Sequence, residues 1–101
     1  MKDMLKAAQK MQDRMAKTQE EVAQRTVEAT VGGGMVKAVV TGGKEVKELI
    51  IKAEVVDPTD IEMLQDLIIG AVNEALRKAD EMMTQEMNKV SSGLKLPPGI
   101  F

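Results

Sequence analysis

Two sets of residues in this 101-residue chain could hold an anion. The first is glycine-rich: five of the eight glycines lie within residues 30–51, as the runs Gly32–Gly34 and Gly42–Gly43. A phosphate-binding glycine loop leads from a strand into the N-terminus of a helix, and its P-loop version ends in a Lys-Ser/Thr pair. Both runs instead separate two strand-like segments. They therefore predict hairpin turns, in which glycine supplies a positive φ.

The second set is basic and lies along one side of a predicted helix. Its members are spaced by four, four, four and three residues, which keeps them on one slowly turning face. This basic stripe consists of Lys2, Lys6, Lys10, Arg14 and Lys17. The stripe could contact phosphate groups. Four acidic residues between Asp3 and Glu21 share the polar arc, however, so a solvated face of mixed charge is the alternative.

The composition removes the commonest catalytic and metal-binding templates. The chain has no cysteine and no histidine, and therefore lacks a thiolate nucleophile, a disulfide, the usual zinc ligands and the commonest general base. Its formal net charge is −2 and its pI is near 5.2, so no overall positive field attracts nucleic acid. We expect no enzymatic activity, no cofactor and no small-molecule substrate.

The hydropathy pattern does not point to a membrane. The opening MKDMLKAAQKMQ is charged throughout and contains no apolar run suited to a signal peptide. Nowhere do about 18 apolar residues follow one another, as a membrane-spanning helix requires. A soluble cytoplasmic protein without a membrane partner is expected.

Apolar spacing indicates the elements that carry these residues. From Met4 to Val22 the least polar residues recur at steps of four and three, which predicts a helix over residues 1–25. Its apolar side either packs on the chain's own sheet or forms the seam of a helix pair. From Thr26 the period changes to two, and β-branched residues between the glycine runs predict three strands within residues 26–53.

A long helix is predicted to follow the strands, over residues 57–92. Asp57 precedes a proline and Thr59 lies three residues before a glutamate, so either residue could cap its start. A helix of about 30 residues is roughly 45 Å long, whereas a compact domain of this size is only about 26 Å across. The far half of the helix therefore needs a cover, either from the first helix or from a second subunit. Residues 93–101 form a predicted tail that contains two prolines and packs its apolar side chains back on the body.

Charge is divided unevenly between the two predicted helices. Residues 1–25 carry a net charge of +2, and residues 57–90 carry −5. An anion-binding surface is therefore expected on the first helix. Arg77 and Lys78 are the one adjacent basic pair in the last helix.

Four blocks of sequence, in this order, resemble the YbaB/EbfC family of bacterial nucleoid-associated proteins. They are KAAQKMQDRM, GGGMVKAVVTGGKEVKELII, DLIIGAVNEALRKADEMM and the terminal GLKLPPGIF. The resemblance spans nearly the whole chain. It implies an α+β fold with the order α-β-β-β-α and an antiparallel three-stranded meander, in a single domain over residues 1–101. It further implies a tweezers-like homodimer that binds double-stranded DNA, organises the chromosome in the nucleoid and influences gene expression.

The site residues follow from combining the resemblance with the residue pattern. Contacts to DNA are expected from Lys2, Lys6, Lys10, Arg14, Lys17, Arg77 and Lys78. The dimer interface is expected to include Met11, Met15, Leu49, Ile51, Leu64, Ile68, Met82 and Met83. No helix-turn-helix spacing, zinc finger or aromatic platform suggests that bases are read, so phosphate contacts should dominate.

A protein scaffold or adaptor is the alternative function. Its Met-rich helices would bind another protein, because methionine surfaces adapt to varied partners. Salt separates the two functions, since phosphate contacts weaken steeply with added salt and an apolar interface does not.

Overall fold

The computed structural model describes residues 2–92 and has the predicted order α-β-β-β-α. The predicted tail, residues 93–101, lies outside the described residues. The elements are α1 (Lys2–Gln24), β1 (Thr26–Val31), β2 (Val36–Thr41), β3 (Val46–Ile51), a short 3-10 helix (Ala53–Val55) and α2 (Ile61–Ser92). The fold class predicted from the sequence is confirmed.

The three strands form an antiparallel meander in the order β1-β2-β3. Ala29 of β1 pairs with Ala38 of β2, which in turn pairs with Leu49 of β3. Because side chains alternate along a strand, these three residues point to the same face of the sheet. The alternation seen in the sequence thus separates a face that α2 can cover from a face that it cannot.

Small side chains form the core between α2 and the sheet. Ala71, Ala75 and Ala79 of α2 are fully buried, as are Val36 and Val40 of β2. Alanine at four-residue intervals gives a narrow helix stripe with little side-chain volume, which allows the helix axis to lie close to the strands. α2 packs against β1 and β2. The helix-facing side of β3 is left largely uncovered.

The two glycine turns differ in why they need glycine. Gly32, Gly33 and Gly34 have φ angles of 63°, 68° and 89°, as the sequence predicted for the β1–β2 turn. The same prediction was wrong for the β2–β3 turn, where the residue with positive φ is Lys44, at 68°. Gly42 is required there for a different reason. The end of α1 lies so close that a side chain at this position has no space.

Helix α2 begins later than predicted. The side chain of Asp60 accepts a hydrogen bond from the backbone N–H of Met63 at 3.2 Å, so Asp60 is the N-cap. Asp57 instead accepts hydrogen bonds from the N–H and the hydroxyl of Thr59, at 2.9 and 2.7 Å. These bonds lower the pKa of Asp57, the hydroxyl contributing most. Asp57 therefore closes a turn that leads into the helix, and neither predicted cap begins it.

Both helices extend well past the sheet. The 32 residues of α2 span about 48 Å, whereas a six-residue strand spans about 20 Å. α1 packs mainly against α2 and also touches β2. The described chain measures 69 × 24 × 16 Å, which reflects this overhang. The first helix thus supplies cover for the far half of α2, one of the two sources that the sequence left open.

Candidate nucleic-acid interface

The basic stripe lies on the outer side of α1, and all five of its side chains are exposed. None of the five forms an ion pair with another residue in the described range 2–92. From Lys2 to Lys17 the stripe is about 22 Å long at the α-helical rise. It is therefore a row of cationic groups whose charges are available to a ligand.

The opposite side of α1 fastens the helix to the body. Met11, Met15 and Thr18 are half-buried, and Val22 is 1% exposed. Burial thus increases toward the C-terminal end of the stripe of apolar residues. Because the apolar residues and the basic stripe lie on opposite sides of one helix, packing α1 onto α2 turns the lysines outward.

The N-terminal part of α1 has no cover in the described chain. Residues 2–10 are exposed on every side. Met4 is 76% exposed and Leu5 is 62% exposed, although Met4 continues the apolar stripe. This part of α1 projects from the body, with Lys2, Lys6 and Lys10 on it.

Arg77 and Lys78 are engaged within the molecule, unlike the basic stripe. Arg77 makes ion pairs with Glu74 and Glu81 on the same helix. Its hydrogen bond to Glu74 is the main cause of its raised pKa. The ammonium group of Lys78 donates a hydrogen bond to the backbone carbonyl of Glu28 at 3.1 Å. Both side chains are therefore engaged within the protein, Arg77 with two carboxylates and Lys78 with a neutral backbone carbonyl.

The sequence contains a signal for the Arg77 ion pairs. Glu74 and Glu81 lie three residues before and four residues after Arg77, the separations at which helical side chains meet. The same rule also brings Glu21 within reach of Lys17, which forms no ion pair in the described range. Spacing along a helix therefore indicates which pairs can form, and it does not by itself separate Arg77 from the stripe.

The lysines of the sheet are divided in the same way. Lys37 pairs with Glu28 and Lys44 pairs with Asp80, each at 3.2 Å. Lys47 is exposed and has no ion-pair partner within residues 2–92. A single unpaired lysine on β3 is a weaker anion site than five in a row.

A second surface of interest is the uncovered, helix-facing side of β3. Leu49 is 39% exposed and Val46 is 50% exposed, although both pair with fully buried residues of β2. The other residues of the predicted dimer interface are half-buried: Met11, Met15, Ile51, Leu64, Ile68, Met82 and Met83. The methionines lie on the parts of α1 and α2 that pack together, whereas Leu49 and Ile51 lie on β3. Leu64 and Ile68 lie near the start of α2, so the structure divides the predicted interface among three regions.

The described residues show no arrangement typical of an active site. No group of three or more carboxylates within residues 2–92 could hold a metal ion. Open grooves lie at the end of α1 beside Thr41 and Lys47 and at the start of α2 beside Asp60 and Asp66. No helix in the described range is long and apolar enough to cross a membrane.

Comparison with known proteins identifies the family of the chain. A model of the YbaB/EbfC DNA-binding family matches residues 1–94. A nucleoid-associated protein of Acetivibrio thermocellus is 60% identical over 99 residues, covering 98% of this chain and 88% of the relative. A nucleoid-associated protein of Ruminiclostridium cellulolyticum is 56% identical over 101 residues, covering 100% of this chain and 88% of the relative.

The fold also occurs in a crystal structure. An uncharacterized protein of Helicobacter pylori superposes with a TM-score of 0.70 over 90% of this chain and 92% of its own, at 21% identity. This likeness supports the α-β-β-β-α fold. The family match over nearly the full length and the two relatives that are 60% and 56% identical show that the chain belongs to the YbaB/EbfC DNA-binding family.

Proposed function

We propose that this protein is a dimeric nucleoid-associated protein that binds double-stranded DNA mainly through phosphate contacts from α1. The observation that carries the proposal is the unpaired basic stripe, in a chain whose family binds DNA. Lysine and arginine neutralise phosphates and release the counterions condensed on DNA, which favours binding to any base sequence. Such binding suits a factor that organises the chromosome in the nucleoid and thereby influences gene expression.

Because the chain has a negative net charge, DNA must be bound by one positively charged part of its surface. With −2 overall, the protein as a whole repels DNA, and attraction must come from a surface on which positive charges outnumber negative ones. The Debye length is about 8 Å at physiological salt, so the acidic residues of a distant helix are screened. The exposed part of α1 meets this condition because it projects away from the body.

Dimerisation is supported by the uncovered side of β3. Val46 and Leu49 expose apolar area beside the core, and a second copy of the chain would remove that area from water. Two copies would also present two basic stripes. Engagement of both stripes by one duplex raises the overall affinity without any new contact within a subunit.

Charge reversal on α1 tests DNA binding. We expect the triple variant Lys6→Glu, Lys10→Glu and Lys17→Glu to lose at least tenfold, as an order of magnitude, in affinity for a random duplex at about 50 mM salt. Fluorescence anisotropy measures the affinity. Circular dichroism and sedimentation should match those of the parent protein, because the substituted side chains face solvent. Unchanged affinity in a folded triple variant would rule out α1 as the DNA-binding element.

Two neighbouring residues of β3 test the dimer. Leu49→Asp places a carboxylate on the uncovered helix-facing side, and Ile50→Asp places one on the opposite side, where 43% of the isoleucine is exposed. Sedimentation should give about twice 11.0 kDa for the parent and for Ile50→Asp, and a monomer for Leu49→Asp. A dimeric Leu49→Asp protein would show that the interface lies elsewhere, with the methionine region of the two helices next to be tested.

A further inference from the structure

The C-terminal end of α1 rests directly on the turn between β2 and β3. A Cβ atom added to Gly42 would lie 2.2 Å from the carbonyl oxygen of Val22 and 2.9 Å from its carbonyl carbon. These are backbone atoms of α1, so they cannot rotate away as a side chain would. Any side chain at Gly42 therefore requires α1 to move relative to the turn.

Hydrogen bonds join the turn to the same end of the helix. The N–H of Gly42 donates to the carbonyl of Arg25 at 2.9 Å, and the N–H of Gly43 donates to the carbonyl of Ala23 at 3.2 Å. The last carbonyls of a helix have no acceptor role within the helix itself. The turn thus satisfies two of the backbone groups at which α1 ends, and this contact also fixes their orientation.

Side chains add further links at this end. Arg25 pairs with Glu86 of α2 at 3.3 Å, and Lys44 of the turn pairs with Asp80 of α2 at 3.2 Å. The other end of α1 is free, since residues 2–10 are exposed on every side. The helix is therefore a lever that is held over its C-terminal half, where its apolar stripe is partly buried, and is free at its N-terminal end.

The length of this lever makes its direction sensitive to the contact. From residue 24 to residue 2 the helix measures about 33 Å, so a tilt of about 10° moves its N-terminus by about 6 Å. Successive phosphates of one DNA strand are about 3.4 Å apart along the helix axis. A small change at the turn would therefore displace the basic stripe by more than one phosphate position.

We propose that Gly42 is a positioning residue, which sets the direction in which α1 presents the basic stripe. Its consequence for DNA rests on the function proposed above, whereas the direction of the helix does not. Gly42→Ala should tilt α1 away from the turn. Gly43→Ala is the matched control, because a Cβ there lies 3.4 Å from its nearest neighbour, within ordinary contact distance, and Gly43 does not have a positive φ.

The absence of cysteine from the chain makes the direction measurable. Gln9→Cys on α1 and Asn73→Cys on α2 introduce two exposed sites for nitroxide labels. Diluting the labelled chain into an excess of unlabelled chain leaves one label pair per dimer. Double electron–electron resonance then reports the distance between the two helices within one subunit. DNA affinity is measured in parallel on the unlabelled variants.

We expect one narrow distance for the parent and for Gly43→Ala, and a distance shifted by several ångströms for Gly42→Ala, corresponding to about 6 Å per 10° of tilt. The affinity for DNA should fall about tenfold in Gly42→Ala alone, because displaced lysines lose phosphate contacts. A lower melting temperature with the parental distance would overturn the proposal and leave Gly42 with a purely structural role. A shifted distance with parental affinity would uphold the positioning role and contradict DNA binding by α1.

If Gly42→Ala does not fold, Glu86→Gln tests whether the contacts at the C-terminal end of α1 fix the direction of the helix. This substitution removes the negative charge that pairs with both Arg25 and Lys89, without adding volume. It should broaden the distance distribution between the two labels. A distribution as narrow as that of the parent would then contradict the proposed clamp at the end of α1.

Discussion

The two helices of this protein use the same charged residue types in opposite ways. On α1, five basic side chains from Lys2 to Lys17 are exposed and unpaired within the described range, and the helix touches the body mainly toward its C-terminal end. On α2, buried alanines form the core, and Arg77 is paired with two carboxylates. The comparison shows that pairing and packing, rather than the number of charges, separate a helix with unpaired cationic side chains from a helix that builds the core.

Replacing one alanine on each helix by leucine should give the largest difference between α1 and α2, measured as a change in the free energy of unfolding. Ala75→Leu forces three extra carbon atoms into the fully buried stripe of α2 and should lower the free energy of unfolding by about 1–3 kcal/mol. Ala7→Leu makes the same change on the exposed part of α1 and should alter it by less than about 0.5 kcal/mol. Urea denaturation of both variants measures the difference. Equal destabilisation would show that the N-terminal part of α1 is packed in solution.

Removing one negative charge from each helix should give a smaller difference, measured as a change in the affinity for DNA. Asp13 lies beside the basic stripe, where its carboxylate repels phosphates. Asp13→Asn removes this repulsion, so the affinity for DNA at low salt should rise about twofold to fivefold. Asp66→Asn lies near the start of α2 and should leave the affinity as it is. Anisotropy titrations of the two variants on one duplex make the comparison. A gain from Asp66→Asn instead would place the DNA near the start of α2.

Loss of the Arg77 ion pairs gives the smallest expected effect. The hydrogen bond from Arg77 is the main cause of the lowered pKa of Glu74, so the pair stabilises the fold above the ordinary pKa of a glutamate. This contribution disappears as the pH falls through the lowered value. Arg77→Gln should therefore slightly lower the melting temperature at pH 7 and match the parent in strong acid. A deficit that persists in acid would mean that Arg77 acts through packing instead.

Local patterns in the sequence were sufficient to place the main elements. The change of period at Thr26 marked the end of α1, which the structure puts at Gln24, and the run Gly32–Gly34 gave the first turn correctly. These features depend on neighbouring residues, so the sequence contains them directly. The start of α2 was harder to place because Asp57, Thr59 and Asp60 are all suitable caps, and the sequence alone does not rank them.

Contacts between residues that are far apart in the chain could not be predicted from the sequence. The need for glycine at position 42 comes from the carbonyl of Val22, twenty residues earlier in the chain. The exposure of Leu49 depends on α2 lying over β1 and β2 and leaving β3 uncovered. Likewise, Lys78 cannot be told apart from the lysines of the stripe in the sequence, because its hydrogen-bond partner, the carbonyl of Glu28, lies on β1. Each of these facts is set by packing between elements.

The salt dependence of DNA binding distinguishes α1 from α2 as the phosphate-binding helix, because its slope counts phosphate contacts at about 0.9 per contact. The slope should be measured for the parent protein, for the triple variant Lys6→Ala, Lys10→Ala and Lys17→Ala, and for the double variant Arg77→Ala and Lys78→Ala. We expect the α1 variant to lose up to about five units of slope in a dimer, and the α2 variant to lose less than about one. A parental slope in the α1 variant, together with a reduced slope in the α2 variant, would contradict the assignment of DNA binding to α1.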